Sequence, residues 1–212
     1  MITIAIAKGR MQDDALALLR RAGIRLSAED VNSRKLAVTD ETGGYRFLFV
    51  KPADVPVYVE HGIADCGVVG RDVLLESEAD LLLPLDLEIA RCRIVVAASD
   101  PEVLTRGFGM LRVATKYSQI AAGHFGSRGM PVEIIQLSGS VELAPALGLA
   151  DLIVDLVQTG QTLRENGLTV VDEITESTGR LVVNRASYQL NAEAVGRLVD
   201  ALRAALNGDK QA

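Results

Sequence analysis

Two stretches hold residues whose types and spacing suit chemistry on a phosphorylated sugar. In Asp151 to Leu163, DLIVDLVQTGQTL, an apolar strand carrying two carboxylates runs into a Thr-Gly-Gln-Thr turn. Backbone N–H groups freed by Gly160, the hydroxyls of Thr159 and Thr162 and the N-terminus of a following helix can converge on a phosphate dianion. Asp155, where that strand is expected to end, then reaches ribose hydroxyls. The same residues also make an ordinary strand, glycine turn and helix start with Thr162 as a simple cap, so the motif alone leaves both possibilities open.

The second stretch is Ala5 to Arg10, AIAKGR, where Lys8, Gly9 and Arg10 stand between the first expected strand and the first expected helix. Ligands of open α/β sheets bind at such strand ends. Gly9 lets a phosphate approach the backbone while Lys8 and Arg10 supply charge; a solvated basic turn is the alternative. Arg34 and Lys35 open a hairpin strand. In Phe49 to Leu75, Lys51 and Asp54 mark a strand-to-helix turn, and Gly62, Gly67 and Gly70 bracket a short buried strand. Glycine there permits close ligand approach, or, at Gly67, relieves crowding under a helix. In Leu137 to Pro145, LSGSVELAP, Ser138, Gly139 and Ser140 are expected to open a further helix with Glu142 in its first turn, a natural cap arrangement that is also a second candidate ligand-binding turn. His61 and His124 have no nucleophile partner in the sequence and are taken as structural. No Ser-His-Asp or Cys-His pattern is visible.

Strands and helices must alternate to position these turns. Expected strands are Ile2 to Ala7, Tyr45 to Val50, Ala64 to Val69, Cys92 to Ala98, Leu111 to Thr115, Val132 to Leu137 and Ala150 to Val157, with helices between most of them. Asp40 to Gly44, DETGG, turns a hairpin between Lys35 to Thr39 and Tyr45 to Val50. A last helix is capped by Asn191, ended by Gly208, and docks through Val195, Leu198, Val199, Leu202 and Leu206. Two long extended passages, Leu81 to Ala98 and Leu168 to Asn184, suit crossings between two lobes with a cleft between them.

Composition agrees. In 212 residues, 49% are hydrophobic and 4% aromatic, so the core is aliphatic, as in helix-covered parallel sheets. A net charge of −6 without a Lys/Arg run disfavours nucleic acid. No segment approaches a membrane span or a secretory signal, which suggests a cytoplasmic protein. The two cysteines, Cys66 and Cys92, indicate neither a disulfide framework nor a zinc site.

In order along the chain, AIAKGRM, SRKL, FVKPADVPVYVEHGIADCGVVGRDVLLE, RVATKY, LSGSVELAPALGLADLIVDLVQTGQTLRENGL and STGRLVVNRASY resemble the ATP phosphoribosyltransferases of histidine biosynthesis, and the likeness spans nearly the whole sequence. That resemblance implies an α/β, two-lobed fold of the periplasmic-binding-protein type II kind, with mixed sheets and an inter-lobe cleft. Lobe I is expected from residues 1–90 plus 179–212, holding the ATP side and the arginines. Lobe II is expected from residues 91–178, holding the phosphoribosyl pyrophosphate loop. The implied reaction is attack by N1 of ATP on C1 of 5-phosphoribosyl 1-pyrophosphate, with Mg²⁺.

By the same resemblance, Arg10 and Arg34 stabilise the departing pyrophosphate, Lys8 and Lys51 bind further phosphates, Asp155 holds the ribose hydroxyls, and Thr159, Gly160, Gln161, Thr162 and Leu163 hold the 5-phosphate. Gly9, Asp54, Gly70, Ser140 and Glu142 join them as substrate-binding candidates, and Mg²⁺ is held mainly by substrate phosphates. The chain resembles the short form, which implies a histidyl-tRNA-synthetase-like regulatory subunit as partner, a homodimer of the chain itself, and no histidine feedback in this chain alone. Ala7 replaces a common proline, and Ser118 to Ala122 lack the proline and basic residues often seen there. Lys116 and Arg112 are then the main charges of that block, and a phosphate contact from its helix is in doubt. A solute-binding protein of the same fold, a nucleotide-salvage phosphoribosyltransferase and a subunit dormant without its partner are the rivals.

Overall fold

Isoleucines at positions 2, 4 and 6 alternate with alanines at 5 and 7, so the first strand turns bulky side chains to one face and small ones to the other. Each set is buried in its own core cluster, as a strand covered on both faces requires. The computed structural model describes residues 1–27, 29–30, 35–106 and 109–209. In chain order they form β1 (Ile2–Ala7), α1 (Arg10–Arg21), β2 (Ala37–Thr39), β3 (Tyr45–Val50), α2 (Asp54–Glu60), β4 (Cys66–Gly70), α3 (Arg71–Ser77), β5 (Leu82–Asp86) and β6 (Cys92–Ala98). There follow β7 (Leu111–Thr115), α4 (Ser118–Ser127), β8 (Val132–Gln136), α5 (Leu143–Ala146), β9 (Leu152–Val157), α6 (Gln161–Glu165), β10 (Thr169–Ser177), β11 (Gly179–Val183), α7 (Arg185–Leu190) and α8 (Ala192–Asp209).

The chain divides into two units, Met1–Ala90 with Thr178–Ala212, and Arg91–Ser177. In the first, the sheet order is β2-β3-β1-β4-β11-β5. Strands β3, β1 and β4 are parallel, and β2, β11 and β5 pair antiparallel. Met11, Ala15, Leu16, Leu18 and Leu19 of α1 cover the isoleucine face together with Val195, Leu198, Val199 and Leu202 of α8, the docking stripe expected from the sequence. Val55 and Val59 of α2 cover the alanine face. Asp65 fastens one end of this unit: it accepts the Thr3 N–H at 2.8 Å, the Ser187 hydroxyl at 2.7 Å and the Asn191 amide at 3.1 Å.

In the second unit the order is β10-β6-β9-β7-β8, with β9, β7 and β8 parallel and β6 and β10 antiparallel. Ile120, Ala121 and Phe125 of α4 pack on one face, and Ala144 of α5 and Leu163 of α6 on the other. Both sheets are therefore mixed.

Two local expectations are corrected, and an open alternative at Gly67 is decided. Ser140 does not open a helix: its φ of 50° is left-handed, its carbonyl accepts the Leu143 N–H at 3.3 Å, and α5 starts only after Glu142. Gly208 does not end the last helix, which runs Ala192–Asp209. Gly67 serves packing: a Cβ there would lie 2.7 Å from Val55 and 2.9 Å from Val59, so the hydrogen side chain lets α2 sit against β4. Among the described residues no helix is long and apolar enough to cross a membrane.

Candidate functional site

In the first unit, β1 and β3 are neighbours whose following helices leave over opposite faces, the arrangement that opens a crevice at the strand ends. The Lys8 N–H donates to the Val50 carbonyl at 2.8 Å, which ties the loop after β1 to the end of β3 and brings Lys8 beside Lys51 along the backbone. Both lysines are exposed. Gly9 precedes α1 with φ 96° and ψ −144°. No atom lies within 4 Å of its would-be Cβ, so backbone conformation and not space demands glycine here.

Arg10 is the first residue of α1 and exposed, with Nη2 3.4 Å from the Ala90 carbonyl. Asp54, also exposed, opens α2, and its N–H donates to the Lys51 carbonyl at 2.9 Å. Gly70 is buried at the end of β4, where a Cβ would overlap Asp72 Oδ1 and approach Met11 to 3.5 Å, so packing alone accounts for its glycine. Arg34 lies outside the described residues.

The second unit repeats the device with different chemistry. Neighbouring β7 and β9 send α4 and α6 to opposite faces, so their carboxyl ends also flank a crevice. Asp155 is not the end of β9. It sits inside the strand opposite Val95, two residues before the last, Val157. Burial raises its pKa above the ordinary carboxylate range; the Leu156 N–H and the Lys116 charge pull it back, and the Glu142 charge adds to the rise. Glu142, half-buried on the loop after β8, is thus an electrostatic neighbour of Asp155, and Ser140 is exposed on the same loop.

Beyond β9 the turn is built around Gly160, which precedes α6 with φ 73° and makes no side-chain cap. Thr162 is therefore a residue of the helix and not its cap. Thr159 Oγ1 accepts the Gln161 N–H at 3.4 Å, and Arg164 Nη1 donates to the Thr159 carbonyl at 3.1 Å, bracing the turn from behind. Gln161 reaches Glu165 at 2.7 Å, and Leu163 anchors the segment in the core. Thr159 and Thr162 stay exposed, and the first N–H groups of a helix have no partner within it, so the turn offers donors to an anion.

Asp155, Glu142, Ser140 and the Thr159–Leu163 turn are therefore brought to one sheet edge, as are Lys8, Gly9, Arg10, Lys51 and Asp54 at the other. Arg164 was missed by sequence reasoning, since nothing in its spacing marks a brace. Lys116 was paired with Arg112, and the structure separates them. Arg112, at the start of β7, is held by Asp151 at 3.1 Å and by the Gly148 carbonyl at 3.0 Å. Lys116 follows the end of β7, beside Asp155. His124, for its part, meets Asp172 at 2.9 Å in a helix-to-strand contact, and His61 is exposed.

The sequence model of the family HisG, ATP phosphoribosyltransferase, matches residues 51–204. The ATP phosphoribosyltransferase of Sorangium cellulosum is 51% identical over 208 residues, covering 98% of this chain and 97% of that protein. That of Geobacillus kaustophilus is 50% identical over 206 residues, covering 97% and 99%. Among solved structures, the ATP phosphoribosyl transferase (HisG:HisZ) complex from Thermotoga maritima contains a chain with TM-score 0.83 and 37% identity, 99% of each chain covered. The periplasmic aliphatic sulphonate binding protein SsuA from Escherichia coli, at 12% identity, 97% and 72% coverage and TM-score 0.61, shows a common fold alone, the type II periplasmic-binding-protein kind. Matched by the family model over more than half its length and by half-identical relatives from end to end, this chain belongs to the ATP phosphoribosyltransferase family.

Proposed function

We propose that the two sheet edges described above are the substrate-binding machinery for the family's reaction, and that Arg10, Asp155 and the Thr159–Leu163 turn are its central parts. The chain transfers the phosphoribosyl group of 5-phosphoribosyl 1-pyrophosphate to N1 of ATP, giving N1-(5-phosphoribosyl)-ATP and pyrophosphate, the first step of L-histidine biosynthesis. Adenine N1 is a neutral nucleophile with no proton to lose, so the reaction needs no general base. It needs pyrophosphate made into a leaving group and positive charge tolerated at ribose C1.

The observation that carries the assignment is the conjunction, at the β7/β9 crevice, of a partly desolvated carboxylate with an αL-glycine turn rich in hydroxyl and N–H donors. Asp155 accepts from the ribose hydroxyls, while Thr159, Gly160, Gln161, Thr162 and Leu163 surround the 5-phosphate. Ser140 and Glu142 complete that edge. Arg10 and Arg34 stabilise the charge developing on pyrophosphate; Lys8 and Lys51 take further phosphates beside Gly9, Asp54 and Gly70. With reactants held in line, positioning supplies much of the rate.

Mg²⁺ fits this donor set as a substrate-borne ion. Mg²⁺ on polyphosphates needs only one or two protein carboxylates, and Asp155 and Glu142 stand together at this edge. When bound, it neutralises charge on the diphosphate. The Thermotoga maritima relative was solved in a HisG:HisZ complex, which supports a histidyl-tRNA-synthetase-like regulatory subunit as partner here. A homodimer of this chain and a cytoplasmic location belong to the same proposal.

The test mixes purified chain with ATP, phosphoribosyl pyrophosphate and Mg²⁺, with and without the regulatory subunit, and follows product formation and its reversal by added pyrophosphate. Turnover reversed by pyrophosphate is expected. An inert mixture with the partner present sinks the proposal.

A further inference from the structure

We propose that Lys116 is a further substrate-binding residue, taking an anionic group of phosphoribosyl pyrophosphate, and that the buried Thr115 hydroxyl positions it. This rests on the assignment of the β7/β9 crevice to that substrate.

Residues 91–177 contain seven Lys and Arg side chains. Four arginines lie within 3.1 Å of a carboxylate: Arg91 on Glu176, Arg93 on Glu173, Arg106 on Asp100 and Arg112 on Asp151. Arg128 pairs with Asp172, and Arg164 donates to the Thr159 carbonyl. Among the seven, Lys116 alone forms neither an ion pair nor a hydrogen bond to a carbonyl among the described residues, although its charge acts on Asp155. Its Nζ lies 4.8 Å from the centre of the Tyr117 ring, and contact with a ring face leaves ammonium hydrogens available to an anion.

The crevice needs such a charge. Asp155 and Glu142 both face a substrate that is itself strongly anionic, and like charges at this edge would repel it unless a cation offsets them. Lys116 is close enough to Asp155 to favour its ionised form.

Its placement is fixed from two sides. Thr115 is fully buried; its hydroxyl donates to the Val154 carbonyl at 2.7 Å and accepts the Tyr117 N–H at 2.8 Å. The Thr115 carbonyl accepts the Leu137 N–H at 2.9 Å. The exit of β7 is thus stapled to β9 at the residue before Asp155 and to the loop after β8. An exposed lysine on such a clamp keeps its backbone position while its head group stays available.

Steady-state kinetics and calorimetry on the full chain with its regulatory subunit test this. Lys116→Gln is expected to raise KM and Kd for phosphoribosyl pyrophosphate by about 10- to 100-fold, as loss of a charge-assisted contact does, with KM for ATP and Tm unchanged. Thr115→Val should shift the same KM in the same direction, and Thr115→Ser should restore it. Unchanged affinity in Lys116→Gln, a shift in KM for ATP in its place, or a Thr115→Val variant that loses Tm but keeps a normal KM overturns the proposal. Asp155→Asn is the control: if it too binds phosphoribosyl pyrophosphate normally, the wider assignment of the crevice has failed, whatever Lys116 does.

Discussion

The β1/β3 edge of the first unit and the β7/β9 edge of the second share one backbone device and differ in chemistry. In each, adjacent parallel strands send helices to opposite faces and leave their loops around a crevice. The first edge offers exposed cations on a glycine turn, Lys8, Arg10 and Lys51, with one exposed acid, Asp54. The second offers hydroxyls, backbone donors and a half-buried carboxylate, with a lysine that forms no ion pair. An edge rich in exposed cations suits polyphosphate, whose charge is diffuse. An edge of short donors around a half-buried acid suits a sugar phosphate, whose hydroxyls must be placed. On the proposed assignment, one topology serves two kinds of anionic group because loops, not strands, carry the specificity.

That contrast can be broken most severely at Arg10. Arg10→Ala should lower kcat by about 10²- to 10³-fold, as loss of a preorganised charge stabiliser does, while binding of ribose 5-phosphate to the other edge is unchanged by calorimetry. Gly160→Val acts on the second edge alone. A side chain at φ 73° with Arg164 Nη1 only 3.2 Å from its Cβ distorts the turn, and KM for phosphoribosyl pyrophosphate should rise at least about tenfold with KM for ATP unaltered.

Asp155 separates binding from stability. Its pKa is raised in the folded protein by burial, so the protonated form favours folding. The stability it contributes is present below its unfolded pKa and is lost as pH rises through the raised value. On the proposed assignment binding runs the other way, because the carboxylate is the better acceptor for ribose hydroxyls. Asp155→Asn should therefore be more stable than the parent at neutral pH in thermal melts yet weaker for phosphoribosyl pyrophosphate, and kcat/KM of the parent should fall as pH drops through the raised pKa.

Two smaller effects mark what is scaffold. Gly67→Ala forces a methyl against Val55 and Val59 and should cost about 1–3 kcal/mol in denaturant unfolding without altering KM for ATP. Arg112→Met loses the Asp151 and Gly148 contacts and should lower Tm slightly, with both KM values unchanged.

Much was readable from residue order. β1, β3, β6 and β7 fall on the expected bounds because each is an apolar run ended by charge or turn residues, and α8 docks through the stripe its periodicity marked. Ser140 was misread because Ser followed by Glu looks like a helix cap, and only the chain's path from β8 decides that its φ is positive. Gly67 was ambiguous because a glycine reports that space is short without saying whether a ligand or a helix fills it. Lys116 and Arg112 sit four residues apart and looked equivalent. On an extended strand that separation is about 13 Å, which sends Lys116 to the carboxyl end of β7 and Arg112 to its start.

The sequence by itself determined the alternation of strands and helices, the aliphatic core and which turns carry groups suited to phosphate, because these depend on local periodicity and side-chain chemistry. Only the tertiary structure decided which charges are spent on ion pairs and which remain for a ligand, how deeply Asp155 is desolvated, and which turn residue precedes a helix. Those properties depend on neighbours distant in sequence, such as Val154 for Thr115 and Asp151 for Arg112, and pairing across a sheet is set by the packing of the whole unit.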